Sequence, residues 1–109
     1  MDEIFMKKGE EKYKTEEAGI LFRTLVKSER MRAVISEMDL GAISKLYKHD
    51  GEELHVLLEG KIEYHLGEKK YVMDEGDMLW HKSDVPHMAK NIGDKKAAFL
   101  TVGSPPTFM

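Results

Sequence analysis

Short alternations of apolar and polar residues run along most of this 109-residue chain. Side chains on a β-strand point in turn to two faces, so strict alternation indicates a strand with one buried face. Residues 61–66 show the pattern most clearly, because Ile62, Tyr64 and Leu66 alternate with polar residues. No segment has the three-to-four-residue apolar spacing of an amphipathic helix. The pattern therefore predicts an all-β protein.

Turn residues divide this pattern into nine or ten short strands. We expect strands at residues 20–26, 31–38, 42–48, 54–58, 61–66, 71–73, 78–81, 87–91 and 96–102, and a further short strand at Ile4-Phe5. Short strands separated by frequent turn signals are typical of an antiparallel sandwich or barrel.

The length of the chain fits one domain with a core of its own. Residues 1–18 are charged and weakly patterned, so we interpret them as an N-terminal arm that precedes a single domain at residues 19–109. With 41% hydrophobic and 34% charged residues, the composition is that of a folded globular protein.

Several classes of function are excluded by composition. The absence of cysteine removes disulfides, iron–sulfur clusters and thiol catalysis. A net charge of -3, with scattered Lys and Arg and no basic helix, argues against direct binding of nucleic acid. No apolar run reaches the ~18 residues of a membrane helix, and the first residues lack the features of a secretory signal. We therefore expect no membrane partner and a cytoplasmic location.

The segment from Tyr47 to Gly60 carries most of the chemistry in the chain. It places carboxylates, imidazoles and a phenol in a run that otherwise reads as an apolar strand, and alternation puts Glu53, His55 and Leu57 on one face. Polar groups are costly to bury unless something satisfies them. A divalent metal ion would do so, because neutral imidazole and carboxylate are both ligands for such ions.

Three residues are candidate metal ligands. His49 and Glu53 lie four residues apart around a tight turn, and His87 stands at the head of a later strand. Two imidazoles and one carboxylate can hold iron, manganese, nickel, copper or zinc and leave positions open. Tyr64 and Asn91 are candidates for the pocket lining and for the groups that orient the ligand imidazoles.

Four further residues are candidates for the lining of the same pocket. His55 is a pocket residue, a substitute ligand or a buried core histidine. His81 is a pocket base or an ordinary buried residue, and Tyr47 is a fourth ligand, a proton donor or a packed ring. Trp80, the only tryptophan, lines the pocket, an interface or the core. In an enzyme, Tyr47, His55 or His81 would move protons.

Two spaced motifs resemble those of the cupin superfamily. His49-x3-Glu53-x6-Gly60 resembles the first cupin motif, and Gly76-Asp77 followed by Pro86-His87-x3-Asn91 resembles the second. The resemblance covers roughly residues 20–108. It is closest to the cupin sensor domain that follows a helix-turn-helix in some bacterial and archaeal regulators, which also share the Pro-Pro-Thr-Phe found here at residues 105–108. This chain carries no helix-turn-helix.

The resemblance implies a double-stranded β-helix, which is a jelly-roll barrel with a metal or small-molecule pocket inside. It also implies that His49, Glu53 and His87 are three of the four usual cupin ligands. Tyr47 stands where the fourth ligand, a histidine, is usual, while Lys82 and Asp84 replace a usual proline and glycine. The site therefore either binds metal through three ligands with an open position or binds none.

Two functions follow as alternatives. In one, the barrel binds a small molecule without catalysis, in a sensor or binding role that can involve a separate regulator protein. In the other, it is a metal-dependent dioxygenase, isomerase, lyase or decarboxylase acting on a small oxygen-rich substrate. The resemblance and a surplus of apolar residues lead us to expect a homodimer; these residues are Ile20, Leu21, Phe22, Leu25, Phe99 and Phe108.

Overall fold

A computed structural model describes residues 3–106 of the chain. These residues form nine β-strands, so the predicted all-β class is confirmed. The strands are β1 (Tyr13–Glu17), β2 (Ile20–Lys27), β3 (Arg32–Met38), β4 (Glu52–Glu59), β5 (Ile62–Leu66), β6 (Lys69–Met73), β7 (Met78–Lys82), β8 (His87–Asn91) and β9 (Ala97–Ser104).

The strands form two antiparallel sheets that enclose one core. The larger sheet has the order β1-β2-β3-β9-β4-β7, and the smaller has the order β6-β5-β8. Strand β9 pairs with both β3 and β4, which brings the end of the described chain between two earlier strands. This arrangement is the double-stranded β-helix that the sequence motifs imply.

The core lies between the inner faces of the two sheets. Val34, Met38, Leu57 and Ile62 are fully buried there. Alternation along each strand sends every second side chain inward, so β5 buries Ile62 and Tyr64 as its sequence pattern predicts. Ile20, Phe22 and Phe99, which we counted as surplus apolar residues, also point into this core, whereas Phe108 lies outside the described residues.

The strand predicted at residues 42–48 is wrong. The segment contacts β8 only through isolated bridges, from Ile43 to Lys90 and from Tyr47 to His87. The Ser44 hydroxyl accepts a hydrogen bond from the main-chain amide of Ala89, in the place where a strand would offer a carbonyl. A side chain that competes for main-chain groups in this way interrupts a regular ladder.

The N-terminal arm also differs from its prediction. Ile4-Phe5 forms no strand, but Tyr13–Glu17 does, and this strand pairs with β2. Ala18 and Gly19 both have positive φ angles, of 51° and 80°, as the tight turn of a two-residue hairpin requires. All five side chains of β1 are exposed, so the strand has no apolar alternation that could reveal it.

Within residues 3–106, the secondary structure contains no helix that is long and apolar enough to cross a membrane.

Candidate metal centre

Six polar side chains meet inside the barrel, and they come from both sheets. Glu53 and His55 lie on β4, His81 on β7, Tyr64 on β5 and His87 on β8, while His49 precedes β4. All except His49 are buried. Because β4 pairs with β7, and Glu53 lies directly opposite His81, the larger sheet alone brings an imidazole beside the carboxylate.

The structure brings the three candidate metal ligands together. Glu53 Oε2 lies 3.4 Å from His49 Nε2 and 3.0 Å from His87 Nε2. One ligand atom from each residue lies within 4.8 Å of the other two. Ligand atoms so close together can share one ion, since metal–nitrogen and metal–oxygen bonds are about 2.0–2.2 Å long.

Main-chain carbonyls fix the tautomers of these two imidazoles. His49 Nδ1 lies 3.1 Å from the carbonyl oxygen of Asp50, and His87 Nδ1 lies 2.7 Å from that of Val85. A carbonyl only accepts, so Nδ1 donates in each case, and in the neutral ring Nε2 then carries a lone pair. Two lone pairs therefore face the same carboxylate oxygen. Within the described chain, Glu53 Oε2 is buried and receives no hydrogen bond.

Such an arrangement requires a positive charge between the groups. Burial alone would raise the pKa of Glu53, but His87, the adjacent Ser83 hydroxyl and His55 hold it at about 2. Burial favours a neutral His87, yet Glu53 and the Val85 carbonyl together raise the pKa of that imidazole. A proton on His87 would let that imidazole donate to Glu53, but the Nε2 lone pair of His49 would still face the carboxylate oxygen. A divalent ion satisfies both imidazoles and the carboxylate, so these residues fit a metal.

Tyr64, His55 and His81 form a second group on the inner side of Glu53. The Tyr64 hydroxyl oxygen lies 2.9 Å from His55 Nε2 and 2.8 Å from His81 Nε2, and the two nitrogens are 3.2 Å apart. His55 Nε2 is 3.8 Å from Glu53 Oε1. Ligand atoms of Glu53, His55 and His81 also lie within 4.8 Å of one another, so they make a second possible ligand set.

Hydrogen bonds satisfy this second group without an ion. His81 Nδ1 donates to the Lys82 carbonyl over 2.8 Å, which leaves the His81 Nε2 lone pair to accept from the Tyr64 hydroxyl. Tyr64 in turn accepts from His55 Nε2, and His55 Nδ1 accepts from the Thr101 hydroxyl over 2.8 Å. Burial lowers the pKa of His55 to about 3 and raises that of Tyr64, so both are neutral at pH 7. The first ligand set therefore needs a cation, and the second does not.

The three remaining candidates, Tyr47, Trp80 and Asn91, differ in their position relative to the pocket. The Tyr47 ring borders the interior cavity, but Glu17 and Lys45 outside the barrel influence its phenol, and burial raises its pKa. Trp80 is 51% exposed and donates to Glu52, so it does not line the pocket. Asn91 is buried, but its amide donates to the carbonyls of three residues: Met38, Asp39 and Lys95.

The interior cavity also has lining residues that the sequence analysis did not assign to a pocket. It has a volume of about 40 Å³ and includes Phe22, Ser36, Phe99 and Thr101 beside Glu53 and His87. Ser36 and Thr101 each put a hydroxyl group at an inward position of a mostly apolar strand. A polar residue at a buried position of an alternating strand was the available signal.

The fold and the site together define a double-stranded β-helix protein with a histidine–carboxylate centre inside its barrel. The sequence profile of the cupin domain family matches residues 34–103. The chain therefore belongs to the cupin family, as its motifs suggested.

An uncharacterized protein of Archaeoglobus fulgidus is 37% identical to this chain over 62 residues. The match covers 57% of this chain and 58% of that relative, so it spans little more than half the length of either.

Solved structures show the same fold at low sequence identity. An RmlC-like cupin from Shewanella frigidimarina is similar with a TM-score of 0.86 and 19% identity, over 97% of this chain and 94% of that one. KdgF from Halomonas sp. has a TM-score of 0.83 and 20% identity, over 96% and 94%. A predicted oxalate decarboxylase from Thermotoga maritima has a TM-score of 0.72 and 23% identity, over 78% and 79%.

Proposed function

We propose that this protein binds a small molecule inside its barrel together with a divalent transition metal ion held by His49, Glu53 and His87. The observation that supports the proposal is the buried oxygen of Glu53, which faces two imidazole lone pairs and receives no hydrogen bond within the described chain. Iron, manganese, nickel, copper and zinc all accept this donor set. When bound, the ion would supply a Lewis acid that attracts an oxygen donor of the small molecule.

The chain's own residues would prepare the site for that ion. The carbonyls of Asp50 and Val85 hold the rings of His49 and His87 with Nε2 toward Glu53. Partners of this kind keep metal ligands in the binding orientation and fix their tautomers. The surrounding barrel excludes water, which strengthens the attraction between an ion and the carboxylate.

Elemental analysis and metal titration of the purified protein test this proposal, with native mass spectrometry to identify any small molecule that the protein retains. We expect one equivalent of ion per chain, and loss of uptake in His87→Ala. His65→Ala is the matched control, because His65 is a half-buried imidazole that pairs with Glu63 away from the centre. Wild-type protein that takes up no transition metal after reconstitution would refute the proposal.

We propose a sensor or binding role, exerted through a separate regulator protein, as the biological use of this site. The sequence resemblance to regulator-linked cupin domains supports it. The cytoplasmic location expected from the sequence also stays a prediction.

A metal-dependent enzyme is the second candidate, and the hydrogen-bonded chain through Tyr64 favours it. These hydrogen bonds place a buried phenol and two neutral imidazoles beside the proposed ion, as proton transfer to a bound substrate requires. Turnover of small oxygen-rich acids by metal-loaded protein, with loss of turnover in Tyr64→Phe at unchanged metal content, would select the enzyme. A loaded protein that binds such acids without converting them selects the binding role.

We also propose that two copies associate through the outer face of the larger sheet. Residues directly opposite one another in an antiparallel sheet share a face, so register places an apolar patch there, formed by Ile35, Leu54, Val56, Trp80, Leu100 and Val102. Beside it, a groove of about 500 Å³ runs under the N-terminal arm, whose Ile4 and Phe5 are 69% and 84% exposed. An uncharged patch and an exposed apolar arm on the same chain can cover each other in a symmetric dimer.

A further inference from the structure

The interior cavity sets a limit on the size of the molecule that the barrel can bind. Its volume of about 40 Å³ gives room for about three water molecules, because a cavity needs about 10–15 Å³ for each one. Its walls include the rings of Phe22 and Phe99, which are rigid, large side chains at inward positions. Only a molecule of a few atoms fits beside an ion without displacing these walls.

The charges that line the cavity indicate which kind of small molecule fits. Among the lining residues, Glu53 is the one carboxylate, and none of the others is a lysine or an arginine. The imidazole of His55 is neutral, because one ring nitrogen accepts from Thr101 and the other donates to Tyr64. A divalent ion beside one carboxylate leaves one positive charge uncompensated in a buried site. Such a charge is costly unless an anion of one negative charge joins it.

Ser36 supplies a hydrogen-bond donor at this cavity. It is 3% exposed, borders the cavity, and lies in register between Phe22 on β2 and Phe99 on β9. Its hydroxyl can donate a hydrogen bond into this space. The two other aliphatic hydroxyls of the lining are engaged, since Ser44 contacts Lys45 and Ala89, and Thr101 contacts His55.

We propose that the barrel binds a small monocarboxylate of the size of formate or acetate, and that Ser36 is the residue that recognises it. One carboxylate oxygen would lie at the ion, the other would accept a hydrogen bond from Ser36, and any methyl group would pack against Phe22 and Phe99. This inference depends on the proposed metal centre, and it adds a ligand class and a recognition residue.

The test uses the full-length protein loaded with cobalt(II), whose visible absorption changes when a ligand exchanges at the ion. Formate, acetate, oxalate and benzoate are titrated separately, and isothermal calorimetry measures the same affinities. We expect saturable binding of one formate or acetate per cobalt. Benzoate should bind at least tenfold more weakly because of its size, and oxalate because of its second charge. Equal or tighter binding of benzoate or oxalate would overturn the inference.

Ser36→Ala tests the recognition residue, with Ser28→Ala as the control because Ser28 lies in the exposed turn between β2 and β3. Loss of one hydrogen bond should weaken acetate binding roughly fivefold to tenfold. Cobalt affinity should stay unchanged, since Ser36 is not a ligand. Equal acetate affinity in Ser36→Ala and wild type would remove Ser36 from the recognition site.

The two levels of the proposal fail in different ways. If the protein takes up no cobalt, the metal centre itself is refuted, and the ligand class with it. If cobalt binds stoichiometrically but neither formate nor acetate changes its spectrum or releases heat, the metal centre stands and the monocarboxylate inference is overturned.

Discussion

Glu53 turns its two carboxylate oxygens toward different groups of side chains. Oε2 faces His49 and His87, whereas Oε1 faces His55. The main chain directs lone pairs at the first oxygen, and hydrogen bonds already satisfy His55 and its neighbours. This asymmetry is the reason that we assign the ion to one side of the carboxylate and not to the other.

The substitution Glu53→Gln should sharply weaken metal binding while the fold persists. The amide can donate to the His87 Nε2 lone pair, but it carries no charge and is a poor ligand. Since loss of an outer partner of a metal ligand costs about 10–100-fold in affinity, loss of the carboxylate ligand should cost roughly a hundredfold or more. Competition titration with a chelating dye measures the effect, and circular dichroism checks the fold.

Glu52→Gln is the matched control for this substitution. Glu52 is the neighbouring carboxylate on β4, but it is exposed and accepts a hydrogen bond from Trp80 on the outer side of the sheet. Its metal affinity should equal that of the wild type. Equal loss in both variants would mean that general charge, and not the geometry at Glu53, controls binding.

His55 predicts a pH dependence of stability in metal-free protein. Burial lowers its pKa to about 3 in the folded state, whereas an unfolded histidine titrates near about 6.5. Between these values the unfolded state holds a proton that the folded state lacks, so the free energy of unfolding falls as pH decreases. The contribution of one such group is at most about 1.4 kcal/mol per pH unit.

Replacing His55→Gln should therefore reduce the slope of unfolding free energy against pH between pH 6.5 and 5, as measured by urea denaturation with a chelator present. Glutamine keeps a polar group that can contact Thr101 and Tyr64. His65→Gln, outside the barrel, controls for removal of an imidazole. An unchanged slope in His55→Gln would show that His55 takes up a proton in the folded state.

At this scale, the sequence predicts which polar residues face the barrel better than it predicts what each one does. Period-two alternation on β4 places Glu53 and His55 together, and the cupin spacing adds His49 and His87. Both Trp80 and His81 were expected at the pocket, although neighbouring strand residues lie on opposite faces; the structure turns His81 inward and Trp80 outward. The direction of each imidazole depends on contacts with main-chain carbonyls, which no residue pattern records.

At the scale of elements, the start of β4 is held by a close approach between two segments. Gly51 has a φ of +107°, and a Cβ atom there would overlap the main chain of Ser104 at the end of β9. Gly76 has a φ of +90°, but a Cβ atom there meets no atom within 4 Å. A side chain at Gly76 would therefore strain only the backbone, whereas a side chain at Gly51 would also overlap a neighbouring strand.

Gly51→Ala should destabilise the protein more than Gly76→Ala. Both substitutions strain a left-handed backbone, which costs about 1–2 kcal/mol. The first also forces β4 away from β9, and overlap of this kind adds about 1–3 kcal/mol. Thermal denaturation of the metal-free variants measures the difference. Because His49 and Glu53 flank Gly51, the first variant should also bind metal more weakly, whereas equal behaviour of the two would contradict this account.

Elements with a buried face were predictable, and elements without one were not. The alternation of β5 matches the burial of Ile62 and Tyr64. β1 is exposed on both faces and depends on the Ala18-Gly19 turn, where alanine is an unusual residue at a positive φ. Residues 42–48 have strand-like composition, but the Ser44 hydroxyl replaces a main-chain acceptor. The Ser44 hydroxyl takes this role only because the segment contacts β8, and a contact of this kind cannot be read from the local sequence.

At the scale of the whole molecule, the outer face of the larger sheet predicts association. We expect light scattering after size-exclusion chromatography to give twice the mass of one chain. Val56→Lys, in the middle of the apolar patch, should shift the protein to the monomer because a buried charge has no partner there. Val72→Lys is the control, since Val72 is 53% exposed on the smaller sheet. A wild-type monomer at tens of micromolar would refute the dimer.

The candidate metal ligands come from both sheets, and this has one more consequence. Glu53 belongs to the six-stranded wall of the barrel and His87 to the three-stranded wall. An ion between them would cross-link the two sheets, so the sheets could not separate without release of the ion. Amide hydrogens along β4 and β8 should then exchange with solvent much more slowly in the metal-loaded protein than in the metal-free protein. The exchange rates of β1, at the far edge of the larger sheet, should stay unchanged.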